Sequence, residues 1–273
     1  MKTRVLVGVV GIPVLILVIL FAPMWLFGLL IGAVAAVAAW EMMRCVDPDV
    51  PQRFVSYAAA GAVLIPLFTG FGAYDIGERL VLWALVLVMF GELMLTFWRD
   101  EAMDFTPVLE VLFSGFVLSM LFTSLVRLGQ LHEHGAVYLF MPFVAAFSSD
   151  SGAYFAGLYL GKHKLAPKLS PKKTIEGSIG GFVAAIVIML IYGIILRACG
   201  FAVDFLVLAI YGFFGSLAGQ IGDLAFSSIK RLYGIKDYSK IIPGHGGILD
   251  RFDSVLFIAP LFELLLMWVP AVV

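Results

Sequence analysis

Long, nearly uncharged apolar runs dominate this chain, and they fix its fold class before any motif is considered. A helix that crosses a bilayer needs about 20 apolar residues, because each residue rises about 1.5 Å through roughly 30 Å of hydrocarbon. Nine runs approach or exceed that length: residues 5–22, 24–43, 54–71, 79–98, 105–127, 136–160, 175–197, 201–229 and 252–270. Of the 273 residues, 62% are hydrophobic and 14% charged. Soluble domains are closer to half apolar and a quarter charged. The sequence therefore reads as an all-α polytopic integral membrane protein with about nine transmembrane helices. The first run follows Met-Lys-Thr-Arg but lacks a clear small-residue cleavage site, so it reads as a retained helix rather than a signal peptide.

Charge placement orients these spans. With the N-terminus cytoplasmic, only Arg79, Arg127 and Arg197 of the 18 basic residues fall outside, as the positive-inside rule requires. Removing any one span would put a large basic loop on the wrong side. The net charge of −1 carries little information beside this asymmetry. The two cysteines, Cys45 and Cys199, match no zinc spacing, fall on opposite sides and are expected to be unpaired. Polar density gathers in the C-terminal half. The chain thus divides into a scaffold of about five helices, 1–135, and a region expected to carry the function, 136–273, with two basic cytoplasmic loops at 161–174 and 230–251.

Within that region, Asp150 sits in the run Ser148-Ser149-Asp150-Ser151-Gly152 of the sixth span. An ionised group at the bilayer centre costs about 2.5–3.5 kcal/mol on insertion scales and calls for a partner or a function. Ala153, Gly157 and Gly161 follow at helical spacing and give a face for close helix packing. In the eighth span, Gln220, Asp223, Ser227 and Lys230 share one helix face, with Asp223 about 12 Å from the basic end at Lys230 and Arg231. Asp250 opens the ninth span from the far side of the same loop. Two carboxylates with lysines and arginines nearby suit a magnesium and phosphate site, since hard cations take oxygen ligands and share them with substrate phosphates. A solvated basic loop would explain the lysines but not Asp223. Gly244, Gly246 and Gly247 would let the backbone approach a ligand, although the P-loop spacing is absent. His245, a lone histidine, suits a structural hydrogen bond as readily as a ligand. In the loop Ser170-Pro171-Lys172-Lys173-Thr174-Ile175-Glu176-Gly177, Ser170 or Thr174 would cap the seventh helix, leaving Lys172 and Lys173 for lipid or nucleotide phosphate.

The run from Ser227 to Asp253, SSIKRLYGIKDYSKIIPGHGGILDRFD, resembles the signature of the phosphatidate cytidylyltransferases, also called CDP-diacylglycerol synthases. The matching residues are Ser227, Lys230, Arg231, Lys236, Asp237, Ser239, Pro243, His245, Gly246, Gly247, Asp250, Arg251 and Asp253. The Gly-Asp-Leu around Asp223, the Ser-Pro-Lys-Lys-Thr loop, and Asp150 with Ala153-Tyr154 and Gly157 are similar to this family too. The N-terminal half resembles it only in being apolar spans. The resemblance implies that the lipid phosphate attacks the α-phosphorus of CTP, giving CDP-diacylglycerol and pyrophosphate. It implies a divalent cation, magnesium or another, on Asp223 and Asp250, and leaves room for a monovalent one. Lys230, Arg231, Lys236 and Arg251 would hold phosphates. Asp150, Tyr154, Ser170, Lys172, Lys173, Thr174, Ser227, Asp237, His245, Gly246, Gly247 and Asp253 are the expected substrate-binding residues. The expected partners are CTP, phosphatidate, the lipid bilayer and a second copy of the chain, with no nucleic acid. The expected location is the plasma membrane of a bacterium, with the site facing the cytoplasm.

Rival readings keep the membrane and change the chemistry. A CTP-dependent lipid kinase or an archaeol-type cytidylyltransferase would keep the nucleotide and change the lipid. A CDP-alcohol phosphotransferase lacks its D-x-x-D-G-x-x-A-R run here. A transporter would fit many spans and an intramembrane Asp150, but no internal repeat is evident and the polar residues gather on one face of one half.

Overall fold

A computed structural model describes residues 13, 16–99, 105–131, 134–242, 244 and 246–271. Its helices are α1 (Met24–Val46), α2 (Gln52–Gly70), α3 (Tyr74–Trp98), α4 (Thr106–Gly129), α5 (Gly135–Leu160), α6 (Ile175–Ala198), α7 (Phe205–Leu232), the single turn α8 (Leu249–Phe252) and α9 (Val255–Leu266). Two short antiparallel strands, β1 (Lys164–Ala166) and β2 (Ser170–Thr174), form a hairpin between α5 and α6. By length and composition α1, α2, α3, α4, α6 and α7 can each cross a membrane. The fold is all-α and polytopic apart from the hairpin, which stands where the sequence suggested only a basic loop.

Three of the expected spans need comment. Most of the run 5–22 lies outside the described residues. The sixth span is one helix of 26 residues that carries the Ser-Ser-Asp-Ser-Gly run, and it is not among the six helices above. The ninth is shorter than its apolar run: α9 has 12 residues, about 18 Å, against roughly 30 Å of hydrocarbon. The start of α7 also moves inward from Phe201, because the Asp204 carboxylate accepts the Leu206 and Val207 amides at 2.9 and 3.1 Å and caps the helix at Phe205.

The chain forms two compact units. The first comprises residues 1–130 with the loop 237–250, so that loop groups with the N-terminal helices. Within it α1 and α2 pack closely through glycine: a Cβ on Gly28 would collide with the Pro66 carbonyl oxygen. Glycine lets backbones meet where a larger residue would hold them apart. α4 carries a π-turn at Phe113–Val117, where Gly115 meets the Ala58 backbone. α3 leaves Leu80, Trp83, Leu87, Phe90, Met94 and Phe97 exposed, a surface suited to lipid rather than water.

The second unit comprises residues 131–236 and 251–273. α5 and α6 pack along the small-residue face read from the sequence, with Gly177 against the Ala153 carbonyl and Gly157 against the Thr174 hydroxyl. Hydroxyl and amide groups join α7 to them. Ser149 and Ser216 share a hydrogen bond of 2.8 Å, and the Ser178 hydroxyl donates to Gln220 Oε1 at 2.5 Å. In a bilayer such groups must be paired within the protein. α9 packs on α7, where the Phe262 ring meets Tyr211 edge-on at 4.9 Å.

Candidate active site

The hairpin and α7 build the polar centre of the second unit. Thr174 ends β2 in extended conformation and caps α6, its hydroxyl accepting the Gly177 amide at 3.1 Å. This is the cap expected of Thr174; Ser170 instead pairs with Ala166 in the hairpin. Glu176, in the first turn of α6, accepts the amides of Lys162 and His163 at 3.1 and 3.2 Å and contacts His163 Nδ1 at 2.6 Å. These bonds fix the loop after α5, so the hairpin delivers Lys172 and Lys173 to a defined place.

That place is a cavity of about 580 Å³ lined by Asp150, Tyr154, Lys164, Lys172, Lys173, Thr174, Gln220 and Asp223, with apolar walls from Ala153, Leu158 and Leu165. Its size lies within the range of about 300–1,000 Å³ typical of small-molecule sites. Lys173 Nζ stands 2.6 Å from Asp223 Oδ2, both side chains about a quarter exposed (27% and 28%). The Ser227 hydroxyl, one turn along α7, donates to Asp223 Oδ1 at 3.2 Å. A larger depression of about 670 Å³ on α5 and α6 is lined by Gly152, Ala156, Ile179, Val183 and similar residues, with Glu176 its one charged group. Its apolar lining offers nothing to a phosphate, whereas the smaller cavity carries lysines and carboxylates.

Charges of both signs converge here. Asp150 feels repulsion from Asp223 and attraction from Lys173 and Arg251. Asp253 feels repulsion from Asp223 and Asp150 and attraction from Lys230. Lys230 is buried on α7. Asp253 Oδ1 accepts the Ser254 amide at 2.7 Å, and the Asp253 carbonyl comes so near α7 that a Cβ on Gly222 would lie 2.5 Å from its oxygen. Gly222 is therefore required by packing, which explains the glycine before Asp223. Arg231 uses Nε on the Leu169 carbonyl at 3.2 Å and Nη1 on the Ile235 carbonyl at 2.8 Å, fastening the hairpin to the end of α7. Lys236 is exposed beyond it.

The signature loop of the first unit has its own geometry. Asp250 Oδ2 accepts the Tyr238 and Gly247 amides, each at 2.9 Å, and so closes the loop on itself. Gly246 has φ +85°, and a Cβ there would lie 2.8 Å from Asp250 Oδ2. The glycine pair thus makes room for the protein's own carboxylates, a role the sequence reading had reserved for a ligand. Asp237 is exposed at the loop's start, and His245 lies outside the described residues. Sequence reasoning missed Glu41. This α1 residue is fully buried and accepts from the Ser239 hydroxyl at 2.6 Å and from the Ile248 and Leu249 amides at 2.9 and 2.8 Å. The one sequence signal is an acid near the end of an apolar run, and it does not point to the distant partners.

Asp223 offers carboxylate oxygens of the kind a hard cation takes. Asp223 already attracts a positive group, the Lys173 ammonium. Among the described residues no three His, Cys, Asp or Glu side chains are grouped to cage a metal. One or two carboxylates completed by substrate phosphates is the usual magnesium arrangement. Neither cysteine is in a disulfide; Cys45 is buried and Cys199 exposed.

Comparison with known proteins gives a consistent picture. The sequence model of the Cytidylyltransferase family matches residues 2–269. A protein of Bacillus subtilis (strain 168) named phosphatidate cytidylyltransferase is 34% identical, covering 97% of this chain and 97% of its own length. Proteins of the same name from Haemophilus influenzae and Staphylococcus saprophyticus are 34% and 31% identical, covering 96% and 97% of this chain and 97% and 99% of their own lengths.

Proposed function

Because the chain belongs to the Cytidylyltransferase family, we propose that it is a phosphatidate cytidylyltransferase, transferring the cytidylyl group of CTP to phosphatidate. The observation that carries the reading is the cavity in which Lys172, Lys173, Asp150 and Asp223 meet beneath the hairpin. A phosphate oxygen of phosphatidate attacks the α-phosphorus of CTP. A new phosphoanhydride bond forms, the α–β bond of CTP breaks, and pyrophosphate leaves. The nucleophile is already an oxyanion, so the protein's work is to position two anions and to offset their charge.

Lys172 and Lys173 reach this cavity from the hairpin and supply point charges for phosphate. Lys230, Lys236 and Arg251 complete the basic set, and Arg231 contributes through the hairpin it fastens. Tyr154, Ser170, Thr174, Ser227, Asp237 and Asp253 shape or border the substrate site, with Gly246 and Gly247 in the signature loop. The resemblance of the signature supports Asp223 and Asp250 as ligands of a divalent cation, magnesium or another. Such an ion, when bound, would neutralise phosphate charge as it builds in the transition state. The protein would lie in the bacterial plasma membrane with its N-terminus and site on the cytoplasmic face, where CTP is found, and would pair with a second copy.

The position of an isotopic label tests the reaction. With phosphatidate as acceptor, label in the α-phosphate of CTP enters the lipid and label in the γ-phosphate leaves in pyrophosphate. In a parallel reaction supplied with diacylglycerol, transfer of the γ-label to that lipid would instead establish a CTP-dependent lipid kinase.

A further inference from the structure

Glu41 is the most completely buried charged residue of the first unit among the described residues. It lies on an apolar helix with no exposed surface, and its carboxylate accepts three hydrogen bonds, all from the loop 237–250. An ionised group so placed is tolerated only when hydrogen-bonded. Two of the donors are the successive amides of Ile248 and Leu249, immediately before Asp250. The third is Ser239, whose hydroxyl oxygen also accepts the Ile241 amide at 3.2 Å. The approach is so close that a Cβ on Gly247 would collide with Glu41 Oε1. Gly247 is therefore glycine because a carboxylate from another helix occupies the space beside it.

We infer that Glu41 is a positioning residue for the transfer reaction: it anchors the segment 247–249 and so fixes where the Asp250 carboxylate is presented. Asp250 closes the loop from inside through Tyr238 and Gly247, while Glu41 holds the closed loop from outside through Ser239, Ile248 and Leu249. Asp250 thus takes the Tyr238 and Gly247 amides, and Glu41 those of Ile248 and Leu249. The inference rests on the reading that Asp250 belongs to the transfer site.

The test uses the full-length protein in detergent with phosphatidate and CTP, following turnover and tryptic cleavage after the exposed Lys236 and Lys240. Glu41→Gln keeps the size but turns an NH2 toward backbone donors. It should lower kcat about tenfold or more while leaving the KM for phosphatidate within about threefold, and should speed loop cleavage by about tenfold, since charge-assisted bonds are lost. Glu41→Asp should recover part of both effects. Gly247→Ala, which leaves Glu41 in place but crowds it, should reproduce both, and it serves if Glu41→Gln does not fold. Turnover and cleavage both at wild-type levels in these variants would overturn the inference. So would lost turnover with cleavage unchanged, or faster cleavage with full turnover. If the wild type transfers no cytidylyl group, the proposed function fails on its own, and the cleavage rates alone decide whether Glu41 holds the loop.

Discussion

Replacing Asp223 by Asn should damage stability and activity for different reasons, and a second substitution should separate them. Asp223 and Lys173 form an ion pair at 2.6 Å with each side chain about a quarter exposed. At an effective dielectric of about 20 the gross attraction is roughly 6 kcal/mol, most of it offset by lost hydration. The net coupling should lie between that of surface pairs and that of buried pairs, about 1–2 kcal/mol. Asp223→Asn leaves Lys173 without its partner. Lys173→Met leaves Asp223 facing Asp150 and Asp253 with one positive charge fewer, so it should be the more destabilising of the two. The double variant removes both charges and should regain about 1–2 kcal/mol relative to the sum of the singles. At roughly 2–4 °C per kcal/mol, this is readable in thermal unfolding of the detergent-solubilised protein. Activity should behave otherwise. Loss of the Asp223 charge should reduce CTP-dependent turnover by about 10²–10³, the scale of losing one preorganised electrostatic contact, and the double variant should not recover it. Singles that add within about 0.5 kcal/mol would refute the pair as a stabilising unit. A double variant with restored turnover would refute a direct role for Asp223.

Other consequences are simpler to test. Thr174→Ala removes the cap on α6 and should cost about 1 kcal/mol, seen as a lower unfolding temperature. Gly222→Ala places a Cβ 2.5 Å from the Asp253 carbonyl oxygen; forcing α7 from the turn should cost about 1–3 kcal/mol and reduce turnover as Asp223 shifts with the helix. The proposed topology puts Cys199, which is exposed at the end of α6, outside. A membrane-impermeant maleimide added to intact cells should label it, and labelling only after lysis would reverse the orientation.

The helices were legible because their signal is long and physical. Apolar runs of transmembrane length placed α1 to α4 within a few residues, and Asp204 alone accounts for the shifted start of α7. The cavity was legible in part, since Gln220 and Asp223 share a helix face and Asp150 is a conspicuous acid within an apolar run. The hairpin was hidden because Lys164–Ala166 and Ser170–Thr174 are too short and too polar to alternate. Glu41 was hidden because its partners lie about 200 residues away, at Ser239, Ile248 and Leu249. No local pattern reports a bond of that separation. The glycines illustrate the same limit. Composition shows that Gly246 and Gly247 permit close approach, but only the fold shows that Asp250 and Glu41 are what approaches.

The most direct test of the account is the stoichiometry of the purified protein with CTP and phosphatidate, with and without a chelator of divalent cations. The account predicts one pyrophosphate for each CDP-diacylglycerol formed, no pyrophosphate without phosphatidate, and loss of both products on chelation with recovery when magnesium is returned. Pyrophosphate released without lipid product would contradict it. Turnover undiminished by the chelator would contradict the assignment of Asp223 and Asp250 to a divalent cation.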